Sequence, residues 1–382
     1  MNLAPARELE SHGRNALHHR VRSDPGSDAQ RRSQSTMPLP AMRPVELLYP
    51  PPDSVRSGGN VYNEKLAEAA ALCRFPLSLR VVLKSEIGAR LREKAAPFQL
   101  WDSLFLTALA DCESRALADW GLLLHYLPSH DPTLARTERA RLAAVEARVI
   151  ESARLIIVTG RHLKKHVERM RHAGPVFVCE PGVSSEFLTT PHRHRITARE
   201  TVELLTVANL LPGKGLLEVL SVLAKLNHVS WRWHVIGDRT CDAVYTGRFE
   251  AEARRVGMQD RIVRHGSLDH AAIVDVMDRS DLFVFGSRYE AYGMALAEAA
   301  ARCLPAVSTA VGAAAELYRH GTTGFTAALR DVRSFRMYLE SLMSDSALRQ
   351  RFRDNLRVHE PRTWIDTLGD LAAAFSEVNA AR

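Results

Sequence analysis

Two glutamates, Glu290 and Glu298, have seven residues between them in the stretch RYEAYGMALAEAA. The second lies in an alanine-rich run that favours a helix, with the first at its mouth. Eight steps along a helix advance about 12 Å and rotate the face by about 80°. That is too far for two carboxylates acting on one bond, which stand about 5–10 Å apart. The spacing instead suits two contacts at the ends of a long ligand, such as a sugar and a ribose joined by a diphosphate.

The start of this predicted helix offers donors for the phosphates of such a ligand, because the first backbone N–H groups of a helix have no intrahelical partner. The residues concerned are Ala291, Tyr292, Gly293 and Met294. The alternative is that Glu290 merely caps the helix and that Glu298 faces solvent. The alanines around Glu298 count against that alternative, since an exposed helix face usually carries more charge.

A second anion site is predicted at Lys214, which follows Pro212-Gly213 and stands at the mouth of another helix. Backbone N–H groups, the helix dipole and one lysine together favour a phosphate. The spacing is not that of a Walker A loop, because Gly215 follows the lysine where Ser or Thr is required. An ordinary strand–helix turn with a solvated lysine remains the alternative.

In the first half of the chain, Gly58 and Gly59 lie between the first predicted strand and a helix. Paired glycines let a backbone approach a ligand closely, although they also occur in flexible loops. Asp102 ends one predicted strand and His125 follows another. Both positions point toward a shared cleft, and for His125 a structural role is as well supported as a catalytic one.

Strands and helices alternate through both halves, which predicts an α/β protein with two doubly wound parallel sheets. Ligands bind at the carboxyl ends of such strands, so two facing domains leave a central cleft for chemistry. The predicted organisation is a disordered basic tail over 1–42, a first domain over 43–183, a linker over 184–200, a second domain over 201–356, and a helix over 357–382 packing back on the first domain.

The chain carries a formal net charge of +7, which permits an anionic partner. No nucleic-acid-binding module or aromatic–basic interleaving occurs, so nucleic-acid binding is not expected. No apolar run is long enough to span a membrane, and the first residues lack the apolar core of a secretory signal, which predicts a cytoplasmic protein. The five scattered cysteines argue against a zinc site and a disulfide framework.

Three segments carry a family resemblance: LLTVANLLPGKGLLEVLSVLAKL, the run from DRIVRHG to HGTTGF, and ARLIIVTGRHLKKHV with VCEPGV. Together they resemble the retaining glycosyltransferases of family 4, which have the GT-B fold of two Rossmann-like domains. The resemblance covers roughly residues 140–330 well and 43–135 loosely. It implies that a sugar passes from a nucleotide-diphosphate sugar to an acceptor hydroxyl with retention. The first domain would hold the acceptor and the second the donor.

The resemblance also implies roles for individual residues. Glu290 resembles the glutamate near the donor sugar, Glu298 the one that binds the ribose, Lys214 the lysine at the diphosphate, Gly58 and Gly59 the glycine loop near the phosphates, and His125 the histidine that contacts the transferred sugar. Family members often have an arginine five residues before the lysine, where this chain has Asn209. Stabilisation of the leaving group would then rest on Lys214, the helix dipoles and Arg288. Glu290, His125 and Lys214 are thus the predicted catalytic residues.

No cofactor beyond the nucleotide sugar is expected, and no Asp-x-Asp element suggests a metal. The acceptor, whether a glycan, a lipid-linked sugar or a small molecule, is not identified. The basic segment RHLKKHVERMRHAG is typical of a solvated face, with contact to an anionic membrane surface as the minority interpretation. Two further interpretations stay open: an epimerase or phosphorylase on the same fold, and a catalytically weak or inactive nucleotide-sugar binding protein.

Overall fold

A computed structural model describes residues 43–51, 57–93, 97–113, 119–170, 172, 174–189 and 200–380. The predicted basic tail and residues 190–199 of the predicted linker lie outside the described residues. The described residues belong to one compact unit. It contains two parallel sheets, and we call the parts of the chain built around them the N-lobe and the C-lobe.

The N-lobe sheet has six strands among the described residues: β1 Val45–Tyr49, β2 Leu77–Val81, β3 Phe98–Asp102, β4 Trp120–Leu124, β5 Leu155–Val158 and β6 Val176–Val178. Their order is β2-β1-β3-β4-β5-β6, and every pair is parallel. Continuous apolar runs such as WGLLL and LIIV are fully buried. Such runs form the centre of a sheet that helices cover on both faces.

The N-lobe helices are α1 Gly58–Leu72, α2 Ile87–Leu91, α3 Leu106–Ala110, α4 Arg136–Ser152 and α5 Arg161–Val167. The 3-10 turn Pro128–His130 precedes α4. Two apolar cores, one on each face of the sheet, hold these helices in place. Because α1 follows β1 and α5 follows β5, their N-termini lie at the carboxyl edge of the sheet.

The C-lobe sheet contains β7 Val202–Val207, β8 Trp231–Ile236, β9 Ile262–Gly266, β10 Leu282–Phe285, β11 Ala306–Thr309 and β12 Gly324–Ala327. Its order is β12-β11-β10-β7-β8-β9, again with every pair parallel. The chain adds β8 and β9 on one side of β7, and then adds β10, β11 and β12 on the other side. In a doubly wound sheet this switch point is where a ligand crevice opens.

The remaining helices are α6 Ser185–Leu188, α7 Leu216–Leu223, α8 Ala243–Arg255, α9 His270–Arg279, α10 Met294–Ala301, α11 Ala314–Leu317, α12 Val332–Ser344, α13 Ser346–Leu356 and α14 Trp364–Ala380. Helices α7, α8 and α12 share a core on one face of the C-lobe sheet, whereas α9, α10 and α11 share a core on the other. Residues Trp364, Leu368, Leu371 and Phe375 of α14 join the core of the N-lobe.

Two local expectations are wrong. The helix expected to start near Glu290 begins at Met294, so Glu290 lies in the preceding loop and the two glutamates do not share one helix. The cause is Gly293, whose φ of +102° is incompatible with a helical turn. The predicted linker over 184–200 contains α6, whose Phe187 is completely buried in the C-lobe core, so this part is packed structure.

Candidate functional site

Lys214 and Glu290 meet at the switch point of the C-lobe. Lys214 ends a 3-10 turn after β7, and Glu290 lies in the loop after β10. Lys214 Nζ is 2.7 Å from Glu290 Oε1, and Ser287 Oγ donates to the same oxygen at 2.6 Å. Because β7 and β10 are neighbours in the sheet, the two loops leave its carboxyl edge side by side. The result is a fixed cation–carboxylate pair at the predicted ligand crevice.

Glycine allows these two loops to approach so closely. Gly215 has a φ of +66°, and a Cβ there would lie 1.9 Å from the carbonyl oxygen of Gly286. A further backbone hydrogen bond, from Arg288 N to Gly213 O at 2.8 Å, joins the same loops. No larger residue fits at Gly215 without separating the loops, which would displace Lys214 from Glu290.

The N-terminus of α10 lies three residues beyond Glu290 and has no side-chain cap, so its first N–H groups are available to an anion. The side chain of Tyr292 is buried in the C-lobe core, and its carbonyl accepts from Ala313 N at 2.8 Å. Of the predicted residues Ala291 to Met294, Tyr292 can therefore offer only its backbone to a ligand.

Glu298 lies on the second turn of α10 and is half-buried. Burial raises the pKa of Glu298 to about 8, with a smaller contribution from the negative charge of Glu186. No hydrogen bond or ion pair joins its carboxyl group to another described residue. Glu298 is therefore neither fully exposed nor bonded to another described residue. The group can accept a hydrogen bond and, when protonated, also donate one to a hydroxyl.

Across the gap, His125 follows β4 and is buried, with its ring held by two polar partners. Its Nε2 lies 3.0 Å from Asn63 Oδ1 and 3.3 Å from Asp102 Oδ2. Asn63 Nδ2 donates to Asp102 Oδ2 at 2.6 Å. Burial by itself raises the pKa of Asp102, but His125 and the hydrogen bonds from Leu104 N and Asn63 hold that pKa below its usual value. Asp102 is thus a buried carboxylate that orients the imidazole.

Gly58 and Gly59 form the first turn of α1, where Ser57 Oγ accepts from Asn60 N. A Cβ on Gly59 would lie 3.3 Å from the ring of His125, and one on Gly58 would lie 4.0 Å from the sulfur of Met294. The N-termini of α1 and α10 thus approach one another across the gap between the lobes. A gap bordered by two helix N-termini favours a negatively charged ligand.

Asn209 and Arg288 both have protein partners. Asn209 Oδ1 accepts from Asp238 N at 3.0 Å, which stabilises the turn after β7. Arg288 forms an ion pair with Glu218 of α7. Lys214 is paired with Glu290 in the same way, so neither cation is without a carboxylate partner. The expectation that Arg288 assists a leaving diphosphate stays a prediction.

Helix α5 covers the first half of the basic segment RHLKKHVERMRHAG and does not present only a solvated face. His162 and His166 turn toward the lobe interface, where His166 Nε2 lies 3.1 Å from Nε2 of His130. Tyr289, next to Glu290, places its ring against those of Tyr126, His130 and His162, with centroids 4.9, 5.7 and 6.5 Å away. We call Tyr289, Tyr126, His130, His162 and His166 the interlobe aromatic cluster.

Burial, with the nearby charges of His166, His162 and Arg139, lowers the pKa of His130 to about 4. The pKa values of His162 and His166 are also lowered, mainly by burial. Burial therefore favours the neutral form of all three rings. Sequence reasoning missed this cluster and the roles of Asn63 and Ser287, because each depends on contacts between distant segments. The histidines spaced four apart on α5 were the one available signal.

No group of three His, Cys, Asp or Glu side chains in the described part of the chain is placed to hold a metal ion. None of the described helices has the length and apolar character needed to cross a membrane.

The fold matches that of solved structures. The sucrose-phosphate synthase of Thermosynechococcus elongatus superposes with a TM-score of 0.73 at 16% identity, covering 89% of this chain and 100% of that one. The Anabaena HepE structure, a complex with UDP-glucose, gives a TM-score of 0.67 at 15% identity, covering 88% and 100%. These neighbours are GT-B glycosyltransferases, so the predicted α/β class and GT-B architecture are confirmed.

Sequence comparison finds similarity to one family over part of the chain. The family described as glycosyl transferases group 1 matches residues 192–359, which include β7 to α13. A glycogen synthase of Mycobacterium tuberculosis is 32% identical over 151 residues, which are 39% of this chain and 36% of that protein. The chain thus spans about a third of the length of this curated relative. The similarity lies with glycosyl transferases group 1, and the roles of individual site residues stay predictions.

Proposed function

We propose that the protein is a glycosyltransferase that moves a sugar from a nucleotide-diphosphate sugar to an acceptor hydroxyl. The observation that carries this proposal is the Lys214–Glu290 pair at the β7/β10 switch point, beside the uncapped N-terminus of α10. A cation and free N–H groups suit a diphosphate, and a carboxylate within the same loop suits sugar hydroxyls. The group 1 match over residues 192–359 supports the same activity.

In this proposal the donor lies along the loop after β10 and along α10. Its diphosphate contacts Lys214 and the first N–H groups of α10, and its ribose contacts the carboxyl group of Glu298. Glu290 binds hydroxyls of the transferred sugar from one side of the gap, and His125 approaches it from the other. The Anabaena structure of the same fold was solved with UDP-glucose, which agrees with a nucleotide-sugar ligand for this architecture.

Bond cleavage leaves negative charge on the departing diphosphate while the sugar gains positive character. Preorganised positive potential is the most effective help at that stage. Lys214 provides it, because its pairing with Glu290 holds the ammonium in position before the donor arrives. We further propose retention through same-face attack assisted by the leaving phosphate, and metal independence. The absence of an Asp-x-Asp element from the donor loops supports the latter.

His125 would act through its position. Asp102 and Asn63 hold the imidazole in one orientation, so it meets the sugar without a large ordering cost. Closure of the two lobes would exclude water and limit hydrolysis of the donor. The finer assignments, membership of the retaining family 4, a cytoplasmic location and an acceptor at a membrane surface, belong to this proposal as well.

The test combines binding and turnover. Purified protein is screened by thermal shift against UDP, GDP and ADP, and the stabilising nucleotide then selects the sugar donors. Product formation with and without EDTA, followed by NMR of the new anomeric centre, tests metal independence and retention. Metal independence would be excluded if EDTA abolished activity and Mg²⁺ or Mn²⁺ restored it. Retention would be excluded if the new anomeric centre were inverted.

A second candidate function is a catalytically silent nucleotide-sugar binding protein. Asn209 at the position of a family arginine and the compensated charge of Arg288 favour it. Tight nucleotide binding without sugar transfer or donor hydrolysis on any acceptor would support this candidate over the enzyme. Donor turnover without an acceptor, or dependence on phosphate, would instead indicate an epimerase or a phosphorylase.

A further inference from the structure

A cavity of about 380 Å³ is lined by Gly286 and Arg288 of the loop after β10, the same loop that carries Glu290. It is bordered by α7, by the loop after β12 and by the start of α12. Pro132 of the N-lobe also lines it. The cavity therefore opens on the gap between the lobes, and its volume lies within the range of ligand pockets.

The cavity walls are mainly apolar. Val219 and Val222 contribute from α7 and Phe335 from α12. Leu329 and Val332 stand at the opening, 40% and 48% exposed. An apolar group seated in this concave site would remove both side chains from water.

The charged groups of the wall are largely compensated within the protein. Arg288 pairs with Glu218, and Asp331 accepts from Ser334 N at the start of α12. Arg330 is exposed at the opening. A purely polar ligand would therefore find few unsatisfied partners inside, whereas an alkyl chain or an aromatic ring would gain from leaving water.

Two residues of the cavity wall flank, in sequence, a residue that contacts Glu290. Gly286 and Arg288 line the cavity, and Ser287 between them donates to Glu290 Oε1 at 2.6 Å. Thr309, also in the wall, donates to the carbonyl of Ser287 at 2.5 Å. The cavity wall and Glu290 thus belong to the same short loop.

The cavity and Glu298 lie on opposite sides of the C-lobe sheet. Helices α7 and α12 pack on one face of the sheet, and α10 packs on the other. A donor whose nucleoside reaches toward Glu298 leaves the cavity free. The nucleoside is therefore not the occupant that this arrangement favours.

We propose that this cavity binds the apolar part of the acceptor, which is accordingly an amphiphile with a reactive hydroxyl and an alkyl or aromatic group. This inference rests on the proposed function, since it specifies the acceptor class of the same reaction. The hydroxyl lies at the gap near Glu290, and the apolar group lies between α7 and α12.

The experiment compares methyl and octyl glycosides of the same sugars as acceptors, at concentrations below the critical micelle concentration. The donor is a nucleotide sugar that carries the nucleoside diphosphate found to stabilise the protein in the thermal-shift screen. We expect the octyl acceptors to show at least about tenfold higher kcat/KM than their methyl counterparts. Equal kcat/KM values for every methyl–octyl pair would overturn the inference.

Variants then locate the effect. Val332→Asp places a charge at the cavity opening, and Val222→Trp fills the interior, so both should bring the octyl preference down to about one while donor KM stays unchanged. Leu72→Asp, an exposed site 79% accessible on α1, is the matched control and should keep the preference. An octyl preference that survives in both cavity variants contradicts the proposal. So does a loss of nucleotide binding in them, which would assign the cavity to the donor base.

A failure of the proposed function can be distinguished from a failure of the cavity proposal. If no sugar nucleotide binds or turns over, calorimetric titration of octyl glucoside into the wild-type protein and Val332→Asp still tests the cavity. Binding to the wild-type protein alone would retain an apolar-ligand site without the transferase. Binding to neither protein, or equal binding to both, would reject the cavity as a ligand site.

Discussion

Lys214 Nζ lies 2.7 Å from Glu290 Oε1, although 76 residues separate the two in the chain. Their side chains are 30% and 14% exposed, so the pair is neither a solvated surface contact nor a fully buried one. Adjacent strands β7 and β10 and the glycine contact between Gly215 and Gly286 hold it in place. A ligand entering the crevice meets both charges at once, with the uncapped N-terminus of α10 beside them.

Replacing Lys214 with Ala should lower the kcat of sugar transfer by about 10²–10³-fold, because the charge that stabilises the leaving diphosphate disappears. Steady-state kinetics with the donor selected by thermal shift measure this. Lys225→Ala, an exposed lysine just after α7, is the control and should remain within about twofold of the wild type. Wild-type kcat in Lys214→Ala would exclude the proposed role of this lysine.

Glu298→Gln should change how stability depends on pH. The folded-state pKa of Glu298 is about 8, above the ordinary value of 4.5, so the folded protein keeps a proton that the unfolded chain releases. Stability from this group is complete below about pH 4.5 and is lost as pH rises through 8. After discounting for partial exposure, the loss is on the order of 2 kcal/mol.

Urea unfolding at pH 5, 7 and 8.5 measures the Glu298 effect. The Gln variant should lose less stability than the wild type across this range, whereas Glu377→Gln, at an exposed position of α14, should follow the wild type. Parallel pH profiles for the wild type and Glu298→Gln would show that the carboxyl group titrates normally.

Gly215→Ala should destabilise the C-lobe by about 2–4 kcal/mol and lower transfer activity, since its Cβ would lie 1.9 Å from the carbonyl oxygen of Gly286. Gly257 has a similar φ of +68°, but a Cβ added there would meet nothing within 4 Å. Gly257→Ala should therefore cost only about 1 kcal/mol, the penalty for a left-handed backbone conformation. Equal melting temperatures for the two variants would contradict the importance of the loop contact.

Asp102→Asn should lower the transfer rate by about tenfold or more, because Asn63 Nδ2 and His125 would lose their shared carboxylate acceptor. Loss of these charge-assisted bonds should also cost about 1–3 kcal/mol of stability. Asp119→Asn, which alters a half-exposed carboxylate paired with Arg154, should leave the rate unchanged. The donor KM distinguishes two roles for Asp102. A change in KM at an unchanged kcat would indicate a role in donor binding and not in the orientation of His125.

The interlobe aromatic cluster should make the protein sensitive to acid. The pKa of His130 is lowered to about 4, so below pH 6.5 the unfolded chain takes up a proton that the folded protein resists. Stability is complete above pH 6.5 and falls as pH decreases through 4. His130→Gln should reduce this loss between pH 7 and 4.5, as measured by melting temperature, whereas His228→Gln at an exposed site should not. If the melting temperatures of His130→Gln and the wild type fell equally between pH 7 and 4.5, groups other than His130 would cause the acid sensitivity.

Much of the fold could be predicted locally. Buried runs such as LIIV at 155–158 and WGLLL at 120–124 form strands, and the alternation with helices predicted the α/β class. The position of α10 was less accessible to sequence reasoning. The alanine-rich run predicts a helix, but the anchoring of Tyr292 by Ala313 and the positive φ of Gly293 determine where it begins.

The sequence by itself determined most strand and helix segments and their parallel arrangement, and it predicted the residues that would bind a nucleotide sugar. These depend on periodicity, turn residues and short motifs, all of which act over a few neighbours. The tertiary structure alone decided which charges meet. It paired Lys214 with Glu290, compensated Arg288 with Glu218, left Glu298 without a partner among the described residues, and enclosed Tyr289 among histidines of the other lobe. Such contacts depend on strand order and lobe packing, which bring together groups many tens of residues apart, and no local pattern records that proximity.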